Sequence, residues 1–190
     1  MNSAGIEPTI EPATLKRALF PYLFAMDGEF HTFAVLDGAS IPDLLDQLYG
    51  DPRPEFICLY RGDLEPDMAE IAPYLVRLEQ GHPFTDWLFA EGWAKHWGIF
   101  ALSSAGLKTV RTHFRKFLMV KDADGNQLYF RYYDPRVLRI FLPVCTPEEL
   151  KTIFGPINNL LCEGEQPLTA LNYSQQNKAL KTNKILLQPT

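Results

Sequence analysis

Within the stretch Leu128–Val144, LYFRYYDPRVLRIFLPV, the hydrophobic period of the chain changes over two residues. Up to Tyr133 the pattern alternates, with Leu128, Phe130 and Tyr132 on one side and Tyr129, Arg131 and Tyr133 on the other, which is strand periodicity. At Asp134-Pro135 it switches to helical spacing, and Val137, Leu138, Phe141 and Leu142 recur on one face. Aspartate is a good helix N-cap, and proline, with no N–H to lose, suits the first helical position. The pattern therefore predicts a strand that passes directly into a helix. Arg131, Arg136, Asp134 and two tyrosines crowd that junction, which suits either an ion-paired structural corner or a recognition site.

The rest of the chain repeats the alternation. Leu15, Leu19, Tyr22 and Leu23 mark a short amphipathic helix that Pro21 bends or ends. Phe30–Leu36 reads as a strand running into Asp37-Gly38, after which Ser40 caps a helix with Ile41, Leu44, Leu45 and Leu48 on its apolar face. Phe56–Tyr60 is a continuous apolar run, expected as a central strand; Leu64–Ala72 is acidic, with one or two helical turns, and Pro73–Leu78 is another strand. Thr85 opens a helix that carries Phe89, Trp93 and Trp97 at successive turns and stops at Gly98. Ile99–Leu102 is a strand. Ser104 then opens a helix with Leu107, Val110, Phe114, Phe117 and Leu118 on its buried stripe and Lys108, Arg111, Arg115 and Lys116 on the other face. Met119–Lys121 pairs with Leu128–Tyr133 across a short polar loop containing Asp-Gly, a hairpin signal. Thr146-Pro147-Glu148-Glu149 is a capping box, and its helix ends at Gly155-Pro156. From Glu163 the composition turns polar, which predicts a loosely attached tail, helical around Ser174–Ile185. These elements predict an α/β fold: a mixed sheet of about five to six strands with helices packed on it and a C-terminal helical part. Its divisions are an N-terminal arm or helix over 1–29, a main domain over 30–163 and a polar tail over 164–190.

Charge and motif content narrow the function. The net charge is −5, which argues against generic nucleic-acid binding, yet Lys108–Arg139 holds eight basic residues against three acidic ones and is the basic part of an acidic chain. No stretch reaches the ~20 apolar residues a membrane span requires, and no signal-peptide pattern opens the chain, so a cytoplasmic protein with no membrane partner is expected. Cys58, Cys145 and Cys162, odd in number and each in an apolar run, read as reduced thiols. The four histidines are scattered, with no metal-ligand spacing, and the chain has neither a phosphate-cradling glycine loop nor a G-x-S-x-G turn. Neither a metal nor a cofactor is expected. The best argument for an enzyme is Asp37, at the C-terminal end of a strand, with Arg131, Asp134 and Arg136, a set that could handle a phosphate or nucleotide. Its plain counterpart is an ion pair fixing two junctions to each other. Trp93 and its neighbours are either core or a binding anchor, and the basic helix face either solvated surface or a site for an acidic partner.

Several segments, in order, carry a family resemblance: FAVLDGA at 33–39, LLDQLY at 44–49, IAPYLVRL at 71–78, EGWAKHWGIF at 91–100, FRYYDPRVL at 130–138 and TPEELKTIFGPI at 146–157. Together they resemble the bacterial domain-of-unknown-function family of type VI secretion effector chaperones, the Tap or Tec adaptors, over roughly Phe30 to Glu163. The resemblance implies a non-enzymatic adaptor that binds a toxic effector in the cytoplasm and helps load it onto the VgrG spike protein. An immunity protein of a secreted toxin is the nearest rival. The residues expected to meet a partner are Arg111, Arg115, Arg131, Tyr133, Arg136 and Trp93; Asp37, Gly38, Trp97, Asp134 and Pro135 are expected to set the fold.

Overall fold

The computed structural model describes residues 10–24, 29–121, 124–166 and 168–187. One sheet is built from β1 (His31–Asp37), β2 (Phe56–Cys58), β3 (Pro73–Leu78) and β4 (Gly98–Ser103). A two-stranded ribbon of β5 (Met119–Lys121) and β6 (Gln127–Tyr129) stands apart, and β7 (Asn159–Glu163), β8 (Thr169–Gln176) and β9 (Ala179–Leu186) complete the main sheet. The spatial order is β2-β3-β1-β4-β7-β8-β9, and every neighbouring pair is antiparallel.

Helices cover both faces. On one side α1 (Pro12–Leu23), α2 (Leu44–Tyr49) and α4 (Pro83–Glu91) bury Leu15, Leu19, Leu44, Leu48, Phe84 and Leu88 against Ala34 and Leu36 of β1. On the other, α5 (Leu107–Phe114), α6 (Pro135–Phe141) and α7 (Pro147–Phe154) bury Val110, Phe114, Leu138, Leu150 and Phe154 against Phe33 and Val35. The alternation of β1 thus feeds two cores at once, and every residue from Thr32 to Asp37 is buried. The remaining helix, α3 (Pro66–Ile71), lies against the 3-10 turn Gly38–Ser40 that follows β1.

The α/β class holds, but the sheet has seven strands and is antiparallel rather than mixed. The C-terminal part is not helical among the described residues: the segment read as a loose, partly helical tail is the β8–β9 hairpin, paired with β7 over five residues. A two-residue turn with Asn177 and Lys178 both at positive φ closes it, and most of β9 faces solvent, so polar residues blur its alternation. The apolar run at β2 is an edge strand. It looks central because Phe56 and Cys58 pack on one core and Ile57 on the other.

Several local expectations also change. α4 stops at Glu91, so Trp93 and Trp97 follow it in a turn whose Ala94 and His96 have positive φ. Its cap is His82, whose Nδ1 accepts from Phe84 N at 3.1 Å, not Thr85. Ser40 caps no helix; its hydroxyl donates to Asp37 at 2.7 Å. The strand-to-helix switch is not direct either, because β6 ends at Tyr129 and a turn closed by Asp134 N on Arg131 O, 2.9 Å, intervenes. Tyr132 and Tyr133 are both buried in that turn, where strand alternation would have put one of them outside. The caps at Asp134 and Thr146 form as the sequence predicts, the latter with both arms of its capping box. The polar lead before Ile10 and two residues of the β5–β6 loop, 122 and 123, lie outside the described residues.

Candidate functional site

At the end of β1 the backbone makes a close turn that admits only glycine at position 38. A Cβ there would lie 2.4 Å from Ala72 O and 2.6 Å from Glu70 O. Asp37 is thereby held 2% exposed, its backbone N on Trp97 O at 2.9 Å. Its Oδ2 accepts from Ser40 and from Nη2 of Arg131, and its Oδ1 has no hydrogen-bond partner among the described residues. Arg131 keeps 46% of its side chain exposed. Partial burial disfavours its charge, but Asp37 and the phenol of Tyr133 more than offset this and raise its pKa. Burial, reinforced by Asp37 and Tyr60, pushes the Tyr133 hydroxyl up to about 12, so it stays protonated at neutral pH.

Asp134 and Arg136 complete the corner. Asp134 Oδ1 accepts from Arg136 N at 2.8 Å, capping α6 above the buried Pro135, while the Arg136 guanidinium closes on both carboxylate oxygens at 2.7–3.2 Å. Burial raises the Asp134 pKa, but the hydrogen bonds from Arg136 outweigh it and leave the carboxyl below its usual range. The four residues of the phosphate-handling reading do come together, but each guanidinium already has its own carboxylate. A phosphate would have to displace one.

Next to the corner, Tyr60 leads into a second and differently charged region. Arg111 on α5 donates from Nε to Cys58 O at 2.9 Å and from Nη2 to Tyr60 O at 3.3 Å, tying α5 to the chain as it leaves β2. One turn on, Arg115 enters a groove of about 440 Å³ walled by Tyr60, Arg61, Met68, Met119 and Tyr129. Its Nη2 is shielded from solvent with no hydrogen-bond partner among the described residues. Desolvation, Arg111 and Arg61 together lower its pKa. None of the ion pairs among the described residues involves Arg61, Arg111 or Arg115.

The model for the domain of unknown function DUF4123 matches residues 32–152, more than half of the chain. The chain belongs to the DUF4123 family. No curated protein and no solved structure matches it significantly. The DUF4123 match includes the corner and the arginine groove, whereas β7–β9 lie beyond it.

Of the residues expected to meet a partner, the structure brings Arg131, Tyr133 and Arg136 together at the corner and places Arg111 and Arg115 at the groove. Tyr133 is buried and Arg111 is committed to backbone carbonyls. Trp93 is half-buried on a separate cleft of about 410 Å³ with His96 and Glu163. There Glu163, buried, receives His96 N at 3.2 Å and lies 2.7 Å from His96 Nδ1; burial raises its pKa, against the pull of His96. Trp97 is core. Sequence reasoning missed Tyr60, Arg61, Met68 and the outward face of β5–β6. The one available signal was Tyr60-Arg61, an aromatic and a cation directly after an apolar strand. It also missed Arg139, whose Nη1 donates to Glu163 O at 2.8 Å and ties α6 to the end of β7.

Proposed function

We propose that this DUF4123 protein is a non-enzymatic adaptor of a type VI secretion system, which holds a cognate toxic effector in the cytoplasm and helps load it onto the VgrG spike. The observation that carries the reading is the groove beside α5: exposed apolar side chains bordered by arginines that no carboxylate of the described residues neutralises. Such a surface suits a protein partner of opposite charge. The family match and the ordered motifs from Phe33 to Ile157 support the type VI assignment. At the Asp37 corner the acids and arginines neutralise one another, which supports a structural role there over a catalytic one.

Co-expression with the toxin encoded beside it tests the reading. The expected result is that the effector co-purifies with this chain and that deleting the chain abolishes effector delivery while leaving the producer alive. An effector that stays soluble, unbound and secreted without the chain overturns it. Self-killing on deletion, with delivery intact, identifies an immunity protein instead.

A further inference from the structure

The β5–β6 ribbon is unusual within this molecule. All six of its strand residues are exposed, Leu128 by 49% and Tyr129 by 67%. A two-stranded ribbon is marginal in water without something packed on it, and Met119, Val120, Leu128 and Tyr129 are large apolar side chains to leave uncovered. Residues directly opposite in an antiparallel pair share a face, and Met119 pairs with Tyr129. These two therefore form one wall of the groove, with Tyr60 and Met68 across from them and the Tyr60 and Tyr129 rings 6.2 Å apart. Arg61 and Arg115 are the charged residues lining it. Two like charges beside an apolar slot, one with a guanidinium nitrogen that has no hydrogen-bond acceptor among the described residues, favour an anionic group there.

We propose that this groove is the docking site for a short acidic and apolar segment of a partner protein, with apolar side chains seated between Met119, Tyr129, Tyr60 and Met68 and a neighbouring carboxylate on Arg115 and Arg61. The slot volume, about 440 Å³, falls within the ~300–1,000 Å³ of side-chain and ligand pockets. The inference rests on the adaptor reading and specifies the chemistry of what the adaptor grips. It moves recognition from the solvent face of α5 to the groove between α5, the ribbon and the segment after β2.

The test uses the full chain and the co-expressed effector. Affinity is measured for wild type, for Arg61→Glu with Arg115→Glu, for Tyr129→Ser, and for Lys184→Glu on the distant strand β9 as a control. Melting temperatures establish that each variant is folded, and Tyr129→Ser, at a highly exposed position, keeps the test valid if the double charge reversal fails to fold. The groove variants are expected to bind about tenfold or more weakly, with a shallower salt dependence for the charge reversal, while Lys184→Glu binds as wild type does. With the single variant Arg115→Glu added to the set, reversing one acidic residue of the effector segment to lysine is expected to restore its binding. Groove variants that bind the effector as tightly as wild type overturn this inference and leave the adaptor reading standing. A wild-type chain that binds no effector overturns both. Binding that weakens in the groove variants but maps to a basic effector segment overturns the acidic chemistry proposed here.

Discussion

A buried aspartate sharing one oxygen between a hydroxyl and a half-exposed arginine is held mainly by the cost of leaving it alone. Asp37 is buried and Arg131 is its one cationic partner among the ion pairs of the described residues. Removing the guanidinium strands the carboxylate with Ser40, so Arg131→Ala is expected to cost about 1–3 kcal/mol in chemical denaturation. The lower half of that range applies because the guanidinium is already partly in water. Asp37→Asn in the same background is expected to recover part of the loss, since a neutral amide costs less to bury. Strictly additive single and double mutants would show that the pair is not coupled. Gly38 belongs to the same logic: its contact is with backbone, which cannot move aside as a side chain can.

Among the elements, α5 and α7 are joined by a polar tie inside the second core. His113 Nε2 lies 2.6 Å from Ile153 O, and since a carbonyl can only accept, Nε2 carries the proton. Burial lowers the His113 pKa from its ordinary 6.5; the hydrogen bond to Ile153 opposes this and Lys116 adds to it. The unfolded chain therefore takes up a proton near pH 6.5 while the folded chain does so only at lower pH. Stability from this group is complete above the unfolded value and is lost as pH falls below it. Denaturation midpoints from about pH 7.5 to 5.5 are expected to fall for wild type and to fall less for His113→Gln. Parallel profiles would show that His113 is not the source. The β8–β9 hairpin makes a different point. Its closing residues Asn177 and Lys178 both adopt left-handed conformations, yet the dipeptide lacks the glycine that announces such turns, so nothing local marked it.

Across the whole molecule, the last strands are part of the core. Ala170, Ile185 and Leu187 pack with the α1–α4 side and Tyr173 with the α5–α7 side, although β7–β9 lie outside the DUF4123 match. A chain ending at Glu163 would expose β7 as a bare edge together with those apolar contacts. It is expected to aggregate or to lose its cooperative melt, whereas the loose tail that composition suggests could be removed without effect. A soluble truncation with an unchanged melting temperature would refute this. The sequence by itself determined what local chemistry controls: the caps at Asp134 and Thr146, strands β1, β3 and β4, the glycine after Asp37, and the basic stripe of α5. Each depends on period or on hydrogen bonds within a few residues. Only the tertiary structure decided the order and direction of the strands, the edge position of β2, the burial of Tyr132 and Tyr133, and the pairing of Asp37 with Arg131. It alone also brought Arg61 and Arg115 to the exposed ribbon. Those features join residues far apart in the chain, and long-range packing, which sets them, leaves no periodic trace in the sequence.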